Sequence, residues 1–214
     1  MKGVKFGTFH TYDDFGLVLS EKEIKSPTPK IKQIEVEGSD GVLDMTEAFG
    51  GVKYNNRSLS FTFTYPYIST EEDFLELFTT VQNAIHGQKM NVVLDDDLEH
   101  YYFGRVSVNE WKSEKKMGKI VIEVDAEPYK MMVEETVVTR SVSGSLTINL
   151  INGRKHVVPT ITASASMTYA FGTYSKSVSA GTFRIPEFEL IEGNNEITVT
   201  GTGTVTFRYR KGDL

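Results

Sequence analysis

Residues 57–87 read RSLSFTFTYPYISTEEDFLELFTTVQNAIHG, and the change of period inside this stretch decides the fold. Up to Tyr65 the apolar residues Leu59, Phe61, Phe63 and Tyr65 alternate with Ser60, Thr62 and Thr64, the two-residue repeat of a strand with one buried face. Beyond Pro66 the repeat lengthens. Phe74, Leu77, Phe78, Val81 and Ile85 recur at helical spacing as one apolar stripe, with Glu71, Glu72, Asp73, Glu76 and Gln82 largely off it. Ser69 and Glu72 stand three apart, as in a capping box where each side chain satisfies a free backbone amide. The spacing predicts one helix over Glu71 to His86, lying on a sheet.

Outward from this stretch the pattern stays β. Lys30 to Glu37 alternates, and Gly38-Ser39-Asp40-Gly41 and Phe49-Gly50-Gly51 supply the glycines of tight connections. Strand signals follow at Met90 to Leu94, Tyr101 to Val108 and Lys119 to Val124, separated by Asp95-Asp96-Asp97 and by Ser113-Glu114-Lys115-Lys116. Glu127-Pro128-Tyr129-Lys130 interrupts them, because proline lacks an amide donor and biases the residue before it away from helix. Past this break the composition turns to serine, threonine and glycine, with no acidic residue between Glu135 and Glu187. Before Arg140 there are 15 basic and 24 acidic residues; from Arg140 onward there are 8 and 5. The shift predicts two domains, residues 1–132 and 133–214.

In the second domain alternation recurs in Leu146, Ile148 and Leu150, in Ile161 to Tyr169, in Phe183 and Ile185, in Ile197 and Val199, and then in Val205, Phe207 and Tyr209. Regular apolar partners argue against a low-complexity linker and for a β-sandwich. The expected class is mainly β with one helix (α+β).

Composition closes off several functions. The chain has no cysteine, so disulfides, thiolate catalysis and cysteine-held zinc are excluded. A formal net charge of -6 argues against general affinity for nucleic acid, whose phosphates need a positive surface. No run of eighteen apolar residues is present to insert in a bilayer, and the opening Met-Lys-Gly-Val-Lys-Phe-Gly-Thr lacks the apolar core of a secretory signal. The expectation is a protein made in the cytosol.

Candidate chemistry is sparse. Asp95-Asp96-Asp97 with Glu99 and His100 offers hard oxygen ligands for calcium or magnesium, yet the spacing fits no calcium loop and consecutive strand residues point to opposite faces. A solvated acidic turn is the better reading. His10, His86, His100 and His156 are scattered without a zinc spacing, and His86 sits where a helix end favours a cation. Trp111 with Tyr169, Phe171 and Tyr174 is the candidate aromatic platform for a sugar ring, although aromatics more often fill cores. The carboxylate pairs Glu110/Glu114 and Glu187/Glu189 are those a glycosidase would need, without any further catalytic pattern. No catalytic, cofactor-binding or metal residue is assigned, and no cofactor is expected.

Three segments carry a resemblance: Phe15-Gly16-Leu17; Ile34-Glu35-Val36-Glu37-Gly38-Ser39-Asp40-Gly41-Val42-Leu43-Asp44-Met45-Thr46; and Gly51-Val52-Lys53-Tyr54-Asn55-Asn56-Arg57. Gly87-Gln88 and Asp95-Asp96 before Tyr102-Phe103-Gly104-Arg105 continue it. Near the carboxyl end come Phe183-Arg184-Ile185-Pro186, Gly193-Asn194-Asn195-Glu196-Ile197-Thr198-Val199 and Tyr209-Arg210-Lys211-Gly212. In order and spacing these resemble the distal tail proteins of siphoviruses, with Glu37 where that family commonly has proline.

The resemblance covers nearly the whole chain. It implies a split-barrel first domain with a helix, a galectin-like sandwich second, and a structural rather than enzymatic role in a phage or prophage tail. It further implies a homohexameric ring joining tail tube to tail tip or baseplate. Implied partners are the major tail (tube) protein, a tail-tip or tail-associated lysin hub protein and a receptor-binding protein. The implied location is the virion tail tip after assembly in the host bacterial cytoplasm. Open edges of the first domain's strands offer a means of joining subunits, and an acidic inner wall, with Asp95 to Asp97 as one candidate, would let DNA pass without specific binding. The rival readings are a non-catalytic carbohydrate-binding module for host cell-wall attachment and a cell-wall hydrolase subunit.

Overall fold

A computed structural model of the chain describes residues 3–48, 50–66, 70–114 and 117–214, excluding the side chains of 110–114. The chain divides into two compact units, Met1–Pro128 and Tyr129–Leu214.

The first unit contains β1 (Val4–Phe6), β2 (Phe9–His10), β3 (Val18–Ile24), β4 (Gln33–Glu35), β5 (Val42–Asp44), β6 (Arg57–Tyr65), α1 (Glu71–Ile85), β7 (Lys89–Leu94), β8 (Asp97–Glu114) and β9 (Met117–Ala126). Its main sheet runs β2-β1-β7-β8-β9-β6-β3. Each neighbouring pair is antiparallel. The sheet curls on itself: Phe6 of β1 reaches Phe61 of β6 edge to face at 6.0 Å, although three strands lie between them in the order. Lys22 of edge strand β3 meets Asp96 in the β7–β8 turn, closing the curl into a half-barrel.

Leu59, Phe61 and Phe63 are fully buried, as their alternation requires. The helix buries Phe74, Val81 and Ile85, while Leu77 and Phe78 are partly covered. Its cap falls one residue beyond the expected one: Thr70 Oγ1 accepts from the Asp73 amide at 3.1 Å, and Asp73 Oδ2 accepts from the Thr70 amide at 3.1 Å. Aspartate here does what glutamate was expected to do. Ser69 lies outside the described residues, as does Phe49 of the expected Phe49-Gly50-Gly51 turn. The Lys30 to Glu37 alternation is not a half-buried strand. Only Gln33–Glu35 is extended, and all three residues are exposed, because this strand pairs with β5 alone and has no core beneath it.

The second unit contains β10 (Lys130–Met132), β11 (Thr136–Asn152), β12 (Thr160–Ala163), β13 (Met167–Phe171), β14 (Tyr174–Val178), β15 (Gly181–Arg184), β16 (Gly193–Tyr209) and β17 (Gly212–Asp213). Lys130 and Met131 pair with Asp213 and Gly212, which ties the segment after Pro128 to the end of the chain. The sandwich is one sheet folded over. β11 and β16 pair along their entire length, while the other side of β16 takes β13 against Ile197–Gly201 and then β12 against Val205–Arg208. Between them Gly201 and Gly203 carry φ near +150°, and a Cβ on Gly203 would stand 2.6 Å from the Met167 side chain. Glycine is needed at this fold line. The two halves then share one core: Tyr169 of β13 packs edge to face on Phe183 of β15 at 5.6 Å.

Candidate assembly surface

Between β3 and β6 the chain leaves the half-barrel and returns as a narrow arm. Its neck is a two-stranded ribbon: the Lys30 amide donates to Lys53 O at 2.7 Å, the Asn55 amide to Thr28 O at 2.8 Å, and Pro29 bridges to Tyr54. Beyond the neck β4 and β5 form an antiparallel hairpin with Gln33 opposite Asp44, Ile34 opposite Leu43 and Glu35 opposite Val42. Gly38 and Gly41, with φ of 81° and 76°, turn it. At its base the Thr46 hydroxyl, and then the Thr46 amide donating to Asp44 Oδ1 at 2.9 Å, hold the Asp44 carboxyl below its ordinary value.

An isolated two-stranded ribbon is marginal in water. This one also displays apolar side chains: Ile31 is 65% exposed, Leu43 52%, Val42 49%, Val36 48% and Ile34 43%. Ile34 and Leu43 fall on one face by the register. A hollow of about 480 Å³ opens beside the base, lined by Pro29, Ile31, Asp44, Thr46, Glu47 and Val52. Such a concentration of uncovered apolar side chains marks a contact surface.

The margins of the main sheet are unlike it. β2 is two residues long, and β3 carries Glu21, Lys22 and Glu23 with a bulge between Leu19 and Glu21. Short, charged and bulged edges resist strand pairing.

The three acidic residues between β7 and the start of β8 each have a different partner. Asp95 Oδ1 lies 3.1 Å from His10 Nε2 and its Oδ2 accepts the Gly3 amide at 2.6 Å; Asp96 takes Lys22; Asp97 takes His100 Nδ1 at 2.7 Å. Burial works to raise the Asp95 pKa, but the Gly3 amide and His10 outweigh it and leave the carboxyl below its ordinary value. These contacts reach β2 on one margin of the sheet and β3 on the other, so the acidic run is the clasp of the half-barrel. Glu99 is exposed. Among the described residues no group of three or more histidine, aspartate or glutamate side chains is placed to hold a metal ion.

The remaining candidates disperse. The His86 ring accepts the Val108 amide at 3.0 Å through Nδ1 and so docks the helix end on β8. His156 lies 3.4 Å from Glu189 at the surface, and Glu187 and Glu189 flank the buried Phe188. The described members of the candidate sugar platform are buried or partly buried. Tyr169 is fully buried, its phenol pushed up to about 12 by burial, and Phe171 and Tyr174 pack on Phe188 at 5.6 and 6.0 Å. The side chains of Trp111, Glu110 and Glu114 lie outside those described.

Two residues with large structural roles were not singled out in the sequence. Arg57, 6% exposed, donates through Nε to Lys25 O at 2.9 Å and through a terminal nitrogen to Pro128 O, with its guanidinium 5.2 Å over the Tyr102 ring. Asn195, 2% exposed, donates to Leu150 O, Ile191 O and Gly193 O while its own oxygen accepts the Ile191 amide at 2.9 Å. A polar residue inside a recurrent motif was the available signal for both.

A curled half-barrel with one helix, followed by a folded-sheet sandwich, is the architecture of the siphovirus distal tail proteins. The chain superposes on the crystal structure of the Dit protein (gp 19.1) of phage SPP1, described as a paradigm of the hub adsorption apparatus in phages infecting Gram-positive bacteria. The TM-score is 0.72, the coverage 98% of this chain and 99% of that one, and the sequence identity 14%. The chain thus has a distal-tail-protein fold. No family model matches the sequence, and no curated protein matches it.

Proposed function

We propose that the chain is a structural distal tail protein of a phage or prophage, with no catalytic role. Six copies close a ring that joins the tail tube to the tail tip, and the sandwich serves as an attachment platform. The single observation that carries this reading is the end-to-end likeness to the SPP1 Dit protein. The arm supplies the physical means of assembly: head-to-tail contacts between identical subunits close into a ring when the rotation fits, and an exposed apolar hairpin gains most from burial against a neighbour.

Its partners on this reading are other copies of itself, the tube protein, a tail-tip or lysin-associated hub protein, and a receptor-binding protein at the periphery. It acts at the virion tail tip after assembly in the bacterial cytoplasm. DNA passes through the ring without specific binding, in keeping with the acidic balance of the first unit. The Asp95 to Asp97 run is not part of that wall, because its carboxylates are paired with His10, Lys22 and His100.

Electron microscopy of the full chain mixed with its tail-tube protein tests the proposal. Sixfold rings capping tube ends are expected. A monomer that ignores the tube and binds purified wall polysaccharide would replace this reading with the carbohydrate-binding module.

A further inference from the structure

Among the described residues, a strand edge of seventeen residues stands unpaired in the second unit. β11 hydrogen-bonds to β16 over all seventeen residues, and among the described residues no strand pairs with its other side. Sheet edges are normally guarded by charge, proline or brevity. The opposite margin of this sheet follows the rule, since β14 and β15 are short and carry Lys176 and Arg184. β11 does not: TVVTRSVSGSLTINLIN holds Arg140 as its one charged residue and no proline. Its odd-numbered residues from Val137 to Ile151 are all exposed.

We propose that this edge pairs with the same edge of a second copy, antiparallel, about a two-fold axis at Gly144. Gly144 is the midpoint of β11 and has φ of +90°. Centring the axis there sets Val137 against Ile151, Thr139 against Asn149, Ser141 against Thr147 and Ser143 against Ser145. The exposed apolar residues of the strand, Val137 at 47% and Ile151 at 55%, meet each other at both ends, and hydroxyl and amide side chains meet between them.

Arg140 faces Ile148, and the two arginines are separated by eight positions, about 26 Å along a strand, so no like charges oppose. The fold line of the sandwich is also respected. A two-fold axis through the bend keeps both sheets folded in the same sense, so the second copy extends the bent sheet without a break. The contact joins second units, and it stands apart from ring closure through the arm of the first.

The chain has no cysteine, which makes the register directly readable. Full-length Ser141→Cys and Thr147→Cys proteins are prepared separately, then oxidised alone and as a mixture. Because the axis places 141 against 147 of the partner, a two-chain disulfide band is expected in the mixture and not in either protein alone. No band in the mixture, or equal bands in all three samples, overturns the pairing.

A Val137→Lys/Ile151→Lys double variant places lysine against lysine at both ends on exposed positions. It is expected to lose the β11-linked two-chain species in native mass measurements while keeping its thermal melt. Retention of that species, or its replacement by a complex with an extended segment of another tail protein, overturns the assignment of the occupant.

Discussion

The ring of Phe74 occupies the space in front of Gly118: a Cβ at that glycine would stand 2.1 to 2.5 Å from three of the ring's carbons. Helix and sheet therefore meet at a point where β9 has no side chain, and Tyr65 stacks on the same ring at 6.4 Å. Gly118→Ala should destabilise the first unit by about 1–3 kcal/mol through overpacking. Urea denaturation with an unchanged midpoint would show that the helix shifts freely.

The helix stripe has one dominant member. Phe74→Ala should cost about 3–5 kcal/mol, and Phe78→Ala, at a partly covered position, clearly less. Equal losses in chemical denaturation would contradict this placement of the core.

The Arg57 side chain holds the end of β3 and the end of the first unit together through two carbonyls. Arg57→Ala should cost about 1–3 kcal/mol through the loss of these two hydrogen bonds from a charged donor. Arg57→Lys should recover little, because one ammonium cannot reproduce the guanidinium fork over Tyr102. A lysine variant with native stability would refute that role.

The clasp at Asp95 sets a pH dependence. Its folded pKa lies below the ordinary 3.8, so the stability it contributes is present above 3.8 and lost as pH falls through the folded value. The Asp95→Asn variant should be less stable than the parent near neutral pH, with the gap closing in acid below 3.8. A gap that stays constant through that range would mean the carboxylate is not held by Gly3 and His10.

Much of this was legible in the chain. The change of period between Tyr65 and Phe74 located β6 and the helix, and Gly38 with Gly41 located the hairpin turn, because both depend on local chemistry. The fold of the sandwich was not. Ile161 to Tyr169 read as one alternation, and nothing local announces that it breaks into β12 and β13, nor that the two pieces Ile197–Val199 and Val205–Tyr209 belong to one long strand bent at Gly201 and Gly203. The arm was misread for a related reason: alternation reports which residues share a face, and whether that face is covered depends on distant chain. The resemblance motifs prove to be structural. In Tyr102-Phe103-Gly104-Arg105 the first ring lies under Arg57, the second under Lys89, Gly104 lies flush on the β9 backbone, and Arg105 donates to Gly87 O at 2.6 Å.

The arm carries the assembly claim and little of the stability. Ile34→Asp/Leu43→Asp should leave the thermal melt almost unchanged, within about 0.5 kcal/mol, since both positions are exposed and rest on no core. Ring formation should be lost in the same protein.

Sedimentation of the full chain, with and without this double substitution, over a wide concentration range and in the presence of the tube protein, tests the central claim most directly. The account predicts six-chain rings for the parent, single or joined to one another through β11, that are lost in the arm variant while the fold persists. A parent that stays monomeric in every condition, or an arm variant that assembles as well as the parent, would contradict it.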